Sequence, residues 1–161
     1  MIVSNSTPLI NFAAIDRLDI LEALFTKLII PPAVEFELLE RGAQYPNVTI
    51  IRQAAFIKKH DIHNEMLRTA LSIDLDPGEA EAIILALEQK ADLLLLDELA
   101  GRTIAESYQI AFTGSIGCLI EAKRYFPITF LIYFHYYYSY IILVSFYLFC
   151  LPRPMTFYLD D

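Results

Sequence analysis

Along its first 124 residues the chain alternates short apolar runs with stretches in which apolar side chains recur every three or four positions, the rhythm of strands separated by helices. Ile2-Val3-Ser4 reads as a first strand. Thr7 and Pro8 supply an N-cap and a proline at the first helical position, which predicts a helix to about Ile15, and a second short helix is expected from Asp19. Leu28-Ile29-Ile30 reads as a strand ended by Pro31-Pro32, which open a helix over 33–41 that Gly42 stops. The stretch 48–51 is expected to be an edge strand and 60–71 a helix. At Asp76-Pro77-Gly78-Glu79 the aspartate can accept from first-turn amides while Glu79 closes a capping box, so a helix runs from there to about Gln89. Residues 93–96 are four consecutive leucines bounded by acidic residues, the pattern of a central strand buried on both faces. A helix over 98–108, a strand over 110–112 and a helix over 114–123 complete the series. These elements predict an α/β chain: a three-layer α/β/α sandwich around a parallel sheet.

The 161 residues are enough for one domain with a real core and too few for a two-domain enzyme. The composition excludes wholesale disorder, since 56% of residues are hydrophobic, but the excess is local. Fourteen of the 21 aromatic residues follow Arg124, and 125–152 contains no Asp, Glu, Lys or Arg. The expected division is therefore a domain over 1–124 and an atypical apolar, aromatic-rich tail over 125–161. Residues 128–151 are long enough to cross a membrane as a helix, yet five tyrosines fall near their middle rather than at the interfaces. A membrane anchor, a decayed or frame-shifted segment and an extra hairpin remain open for the tail.

The net charge of −8 argues against a protein that holds nucleic acid through bulk positive field, though carboxylates that bind metal ions contribute negative charge themselves. Cys118 and Cys150 lack metal-ligand spacing, as expected of a reducing compartment. His60 and His63 have no third partner and read as surface residues. No secretory signal is evident at the start, and a cytoplasmic location is expected.

Candidate chemistry follows from the fold, because open parallel sheets bind ligands outside the carboxyl ends of their strands. Asn5, Asp97 and Thr113 are expected at strand ends, while Glu37 and Glu81 lie on the apolar stripes of their helices. Several carboxylates sharing one cleft require a cation, and oxygen-only donors suit Mg²⁺ or Mn²⁺, which activate water against phosphate esters. Structural alternatives stand beside each: Asp97 as the N-cap of the following helix, Glu37 paired with Arg41 at i,i+4, and Glu79 in its capping box. Glu79 and Glu81 point roughly 160° apart on a regular helix, so they are not expected to share an ion directly.

Five stretches in order, Val3-Ser4-Asn5-Ser6-Thr7-Pro8-Leu9-Ile10, Pro31-Pro32-Ala33-Val34-Glu35-Phe36-Glu37-Leu38, Pro77-Gly78-Glu79-Ala80-Glu81-Ala82-Ile83, Leu94-Leu95-Leu96-Asp97-Glu98 and Thr113-Gly114-Ser115, resemble the PIN-domain superfamily, in a prokaryotic branch close to the VapC-type toxins. The resemblance covers about residues 1–124. It implies a Mg²⁺- or Mn²⁺-dependent endoribonuclease site in which the acidic positions fall on Asn5, Glu37, Glu81 with Glu79 beside it, and Asp97. Ser6, Thr7 and Thr113 would orient ligands or touch phosphate. It also implies RNA as substrate, an antitoxin-like protein partner and a homodimer. Asn5 departs from the pattern, which has Asp at the end of the first strand. An amide brings no charge, so weaker metal affinity and reduced cleavage are expected, with a catalytically silent binding module as the alternative.

Overall fold

The computed structural model describes residues 1–42 and 48–124. All of them fall within one unit, Met1–Phe126. Five parallel strands form the sheet: β1 (Ile2–Ser4), β2 (Leu28–Ile30), β3 (Ile57–Lys59), β4 (Leu93–Leu95) and β5 (Phe112–Thr113), in the order β3-β2-β1-β4-β5. Parallel pairing needs crossovers, and helices supply them: α1 (Ser6–Ala14), α2 (Leu18–Leu24), α3 (Pro32–Gly42), α4 (Val48–Gln53), α5 (Glu65–Leu71), α6 (Pro77–Glu88), α7 (Leu99–Ser107) and α8 (Ser115–Ala122). The result is the α/β/α sandwich expected from the alternation.

Chain order runs outward from β1 through β2 to β3, then returns beside β1 at β4 and continues outward to β5. The β1–β4 seam is therefore the point where the winding reverses, and the crevice at its carboxyl end is where such a sheet offers a binding site. Asn5 follows β1 there, with its amide N–H donating to the Leu95 carbonyl at 2.9 Å. Helix α6 lies across β1 and β4. Its residues from Gly78 to Ala86 are all buried, which explains why aliphatic and alanine side chains occupy it on nearly every side. Val3, Ile83, Ile84, Leu94 and Leu96 form the centre of the core beneath the crevice.

Several boundaries differ from expectation. The first helix begins at Ser6, with Asn5 rather than Thr7 as its N-cap, because the Asn5 Oδ1 accepts from the Ser6 N–H. The stretch 48–51 belongs to helix α4, where Ile51 is buried while Ile50 faces outward, one inward position per turn instead of an alternation. The edge strand is Ile57–Lys59. Two of its three residues are exposed lysines, a composition that protects a sheet edge from further pairing and hides the strand from hydropathy. The helix expected from residue 60 starts only at Glu65, after Asn64 caps the Leu67 amide. The last strand is Phe112–Thr113, two residues later than 110.

No helix among the described residues is long and apolar enough to cross a membrane. The expectations for the tail, including its span over 128–151, lie outside the described residues, as does the Glu37–Arg41 pairing through its Arg41 side chain. Cys118 is buried in α8, which pushes its thiol up to about 12 and leaves it unreactive, and Cys150 lies outside the described residues.

Candidate active site

The crevice above the β1–β4 seam is built from the first turns of α1, α6 and α7. Asn5 and Ser6 are buried as strand β1 becomes helix α1. With its Oδ1 taken by the Ser6 amide, Asn5 turns its Nδ2 to the Glu98 carboxylate at 3.3 Å. Thr7, one residue further, donates its hydroxyl to the other oxygen of Glu98. Ser6 donates its hydroxyl to Glu37 on α3.

Glu37 spans the gap between helices. Its Oε1 accepts from the Gly78 amide at 3.0 Å, so a carboxylate of α3 caps the N-terminus of α6. Gly78 is glycine for a visible reason: a Cβ there would collide with the Glu37 carboxylate. The favour is returned on the other side of the pair. Glu81 of α6 accepts from the Ala33 amide in the first turn of α3 at 2.8 Å and meets Arg68 of α5 at 3.4 Å. Glu81 is thereby held between α3 and α5, while Glu37 is turned to Ser6 and the first turn of α6.

Glu79 is 5% exposed and forms the expected capping box, with its Oε2 accepting from the Asp76 amide and its own N–H donating to Asp76. Its other oxygen, Oε1, is buried without a hydrogen-bond partner. Burial, reinforced by the charges of Asp76, Glu98 and Glu37, pushes the carboxyl up to about 7. Glu98 is also held above the usual carboxylate range by burial, against the lowering effect of the Thr7 hydroxyl.

Asp97 follows β4 and gathers four donors. Ser115 gives its amide and its hydroxyl, Asn11 its Nδ2 at 3.2 Å and Arg102 its Nη2 at 3.4 Å. Asp97 therefore caps α8 rather than α7, whose N-cap is Glu98. Arg102 is tied through its Nε to the Leu96 carbonyl, and a Cβ on Gly114 would occupy the space where it meets Asp97. The Oδ1 of Asn11 is buried and unpartnered. Thr113 closes β5 with its hydroxyl over Gly117 of α8. His60 and His63 are exposed, and His63 lies 3.3 Å from Glu88.

The sequence-predicted residues thus divide. Asn5, Ser6, Thr7, Glu37 and Glu79 share the crevice, Asp97 adjoins it through Glu98, and Glu81 is bonded to the first turn of α3 and to Arg68. Sequence patterning passed over Asn11 and Arg102, although Asn11 lies one turn beyond Thr7 and Arg102 one turn beyond Glu98. The donors are all oxygens, suited to a hard divalent cation, and Glu79 Oε1 is an orphaned carboxylate oxygen of the kind such an ion satisfies. Among the described residues, however, no three His, Cys, Asp or Glu side chains close on a common point, and Glu37 and Asp97 are drawn into bonds with the first turns of α6 and α8. The residues fit a metal by their chemistry.

An all-parallel sheet with an acidic crevice at its winding reversal defines a doubly wound α/β domain. A family model described as PIN domain matches residues 1–130, and the chain belongs to that family. No curated protein matches the chain.

Proposed function

We propose that the chain is a metal-dependent endoribonuclease of the VapC toxin type, held in check by an antitoxin-like protein. What carries the reading is the buried, unpartnered oxygen of Glu79 set among the carboxylates of Glu37 and Glu98 at the winding reversal of a PIN domain. Glu37, Glu79 and Asp97 are the groups that would hold Mg²⁺ or Mn²⁺, with Asn5 beside them bonded to Ser6 and Glu98. Bound there, the ion supplies Lewis acidity toward a phosphate oxygen and a water of lowered pKa. The chain's own residues do the rest. Ser6 and Thr7 fix the carboxylates of Glu37 and Glu98, Asn11 and Ser115 fix Asp97, and the partly exposed guanidinium of Arg102 offers donors to a phosphate. Glu81 acts as the cap that locks α3 against α6 and so keeps Glu37 in place.

Incubating the full chain with structured and single-stranded RNA and Mn²⁺ tests this. Cleavage that stops with EDTA and in Glu79→Gln is expected, whereas an intact, folded chain that never cuts RNA under these conditions defeats the proposal. A second reading, a binding module that keeps the fold without the chemistry, is favoured by one observation. Asn5 stands where the family pattern has an acid, and its amide is already spent on Ser6 and Glu98. Co-purification of a small protein by a chain that binds no Mn²⁺ would support it.

A further inference from the structure

The hydrogen bond between Asn5 and Glu98 points beyond the set of ligands assigned above. Asn5 cannot serve the cleft as the acid at its position would, since its Oδ1 accepts from the Ser6 amide and its Nδ2 is turned to Glu98. Its function in this arrangement is to present a neighbour. Glu98 is received by two donors from the first turn of α1, Asn5 Nδ2 and the Thr7 hydroxyl, across 93 and 91 residues of chain. A carboxylate gathered there solely to bind α7 to α1 would need no second acid beside it. Yet the unpartnered oxygen of the Glu79 carboxylate is buried against Gly101 in the first turn of α7, the helix whose N-cap residue is Glu98. A buried carboxylate oxygen without a donor costs stability, which a cation held there would restore.

We propose that Glu98 is the fourth anionic ligand of the cleft's divalent cation, carrying the charge that the end of β1 lacks, with Asn5 and Thr7 as the residues that position it. The inference rests on the metal-dependent reading above and extends it. The acid has in effect moved from one end of a hydrogen bond to the other: amide on β1 and carboxylate after β4, in place of the reverse. The cleft therefore keeps its charge despite Asn5, and the substitution is not by itself a sign of a silent site.

The test is Mn²⁺ binding by the full chain, followed by calorimetry and by the electron paramagnetic resonance of the ion, with melting in EDTA as the check of folding. Glu98→Gln is isosteric and can still accept from Asn5, so the fold should persist. Its affinity for Mn²⁺ is expected to fall by about tenfold or more, a loss typical of removing a group that tunes a metal site. Combining Asn5→Asp with Glu98→Gln returns the charge to the other end of the same bond and should recover the wild-type affinity to within about threefold. Should the single substitution fail to fold, the fall in affinity from Asn5→Asp alone to the double variant measures the same charge. A Glu98→Gln chain that binds Mn²⁺ within about twofold of wild type, while Glu79→Gln abolishes binding, overturns this inference and leaves the functional reading intact. A loss that the charge exchange does not recover overturns it too. Absence of Mn²⁺ binding by the wild type overturns both.

Discussion

Glu79 concentrates the electrostatic cost of the site in one side chain. Its carboxyl, pushed up to about 7 by burial first and by Asp76, Glu98 and Glu37 after that, is harder to ionise in the folded chain than in the unfolded one. The sign follows from linkage. A raised folded-state pKa contributes stability that is fully present below the ordinary glutamate value of 4.5 and is lost as pH rises to about 7. In EDTA this carboxyl should therefore withdraw about 3 kcal/mol of stability between those limits, and Glu79→Gln should flatten the decline, as denaturant melts at stepped pH will show. Asn5 illustrates the same balance. By sequence, Asn5→Asp promises a more active enzyme. In the structure it also sets a second carboxylate 3.3 Å from Glu98, so the variant should melt lower than wild type in EDTA and gain more than wild type from Mn²⁺.

Two helices, α3 and α6, are locked by an exchange of caps that neither sequence stretch reveals alone. Glu37 closes the first turn of α6 at Gly78 and Glu81 closes that of α3 at Ala33. Each glutamate is legible as a polar residue on an apolar stripe. What cannot be read from the stripe is which neighbour satisfies it, because that depends on how two distant helices meet. This is why Glu37 and Glu81 look equivalent in the sequence and lie in different places in the fold. Glu81→Ala is expected to cost about 1–2 kcal/mol in denaturant melts, the loss of a cap with Arg68 left to Glu65 alone. Helix ends carry a second regularity. α1, α6 and α7 each pass into a left-handed residue, Asp16, Lys90 and Gln109, with the amide of the following residue reaching back five positions, Arg17 to Phe12, Ala91 to Ala86 and Ile110 to Ala105. The sequence hides these stops because none is glycine, which accounts for the expected helices overrunning by a residue. Lys90→Gly or Gln109→Gly should therefore raise stability by about 0.5–1 kcal/mol in thermal melts, the reverse of what glycine does inside a helix.

Taken as one molecule, the chain shows its strand order least directly and its crevice most. Alternation in the first 124 residues exposes β1, β2, β4 and the helices around them, since each is built from aliphatic side chains buried on a parallel sheet. β3 escapes because Lys58 and Lys59 make a polar edge, and α4 is mistaken for it. The reversal between β1 and β4 is a property of the topology, and it brings Asn5 after β1 to Glu98 after β4. On the metal-dependent reading proposed above, that gathering couples stability, pH and metal in one equilibrium. A cation that binds only the folded chain stabilises it by about 2.7 kcal/mol at a hundredfold excess over its dissociation constant, a rise of roughly 5–10 °C in melting temperature for a chain of this size. Below pH 7 the ion must also displace the Glu79 proton, so the rise should be small at pH 5.5 and full at pH 8, where Glu79 is ionised. Melting curves with and without saturating Mn²⁺ at the two pH values give the difference directly. A silent binding module would show the same small shift at both, whereas a cleft designed around a cation recovers at pH 8 the stability that its crowded carboxylates cost.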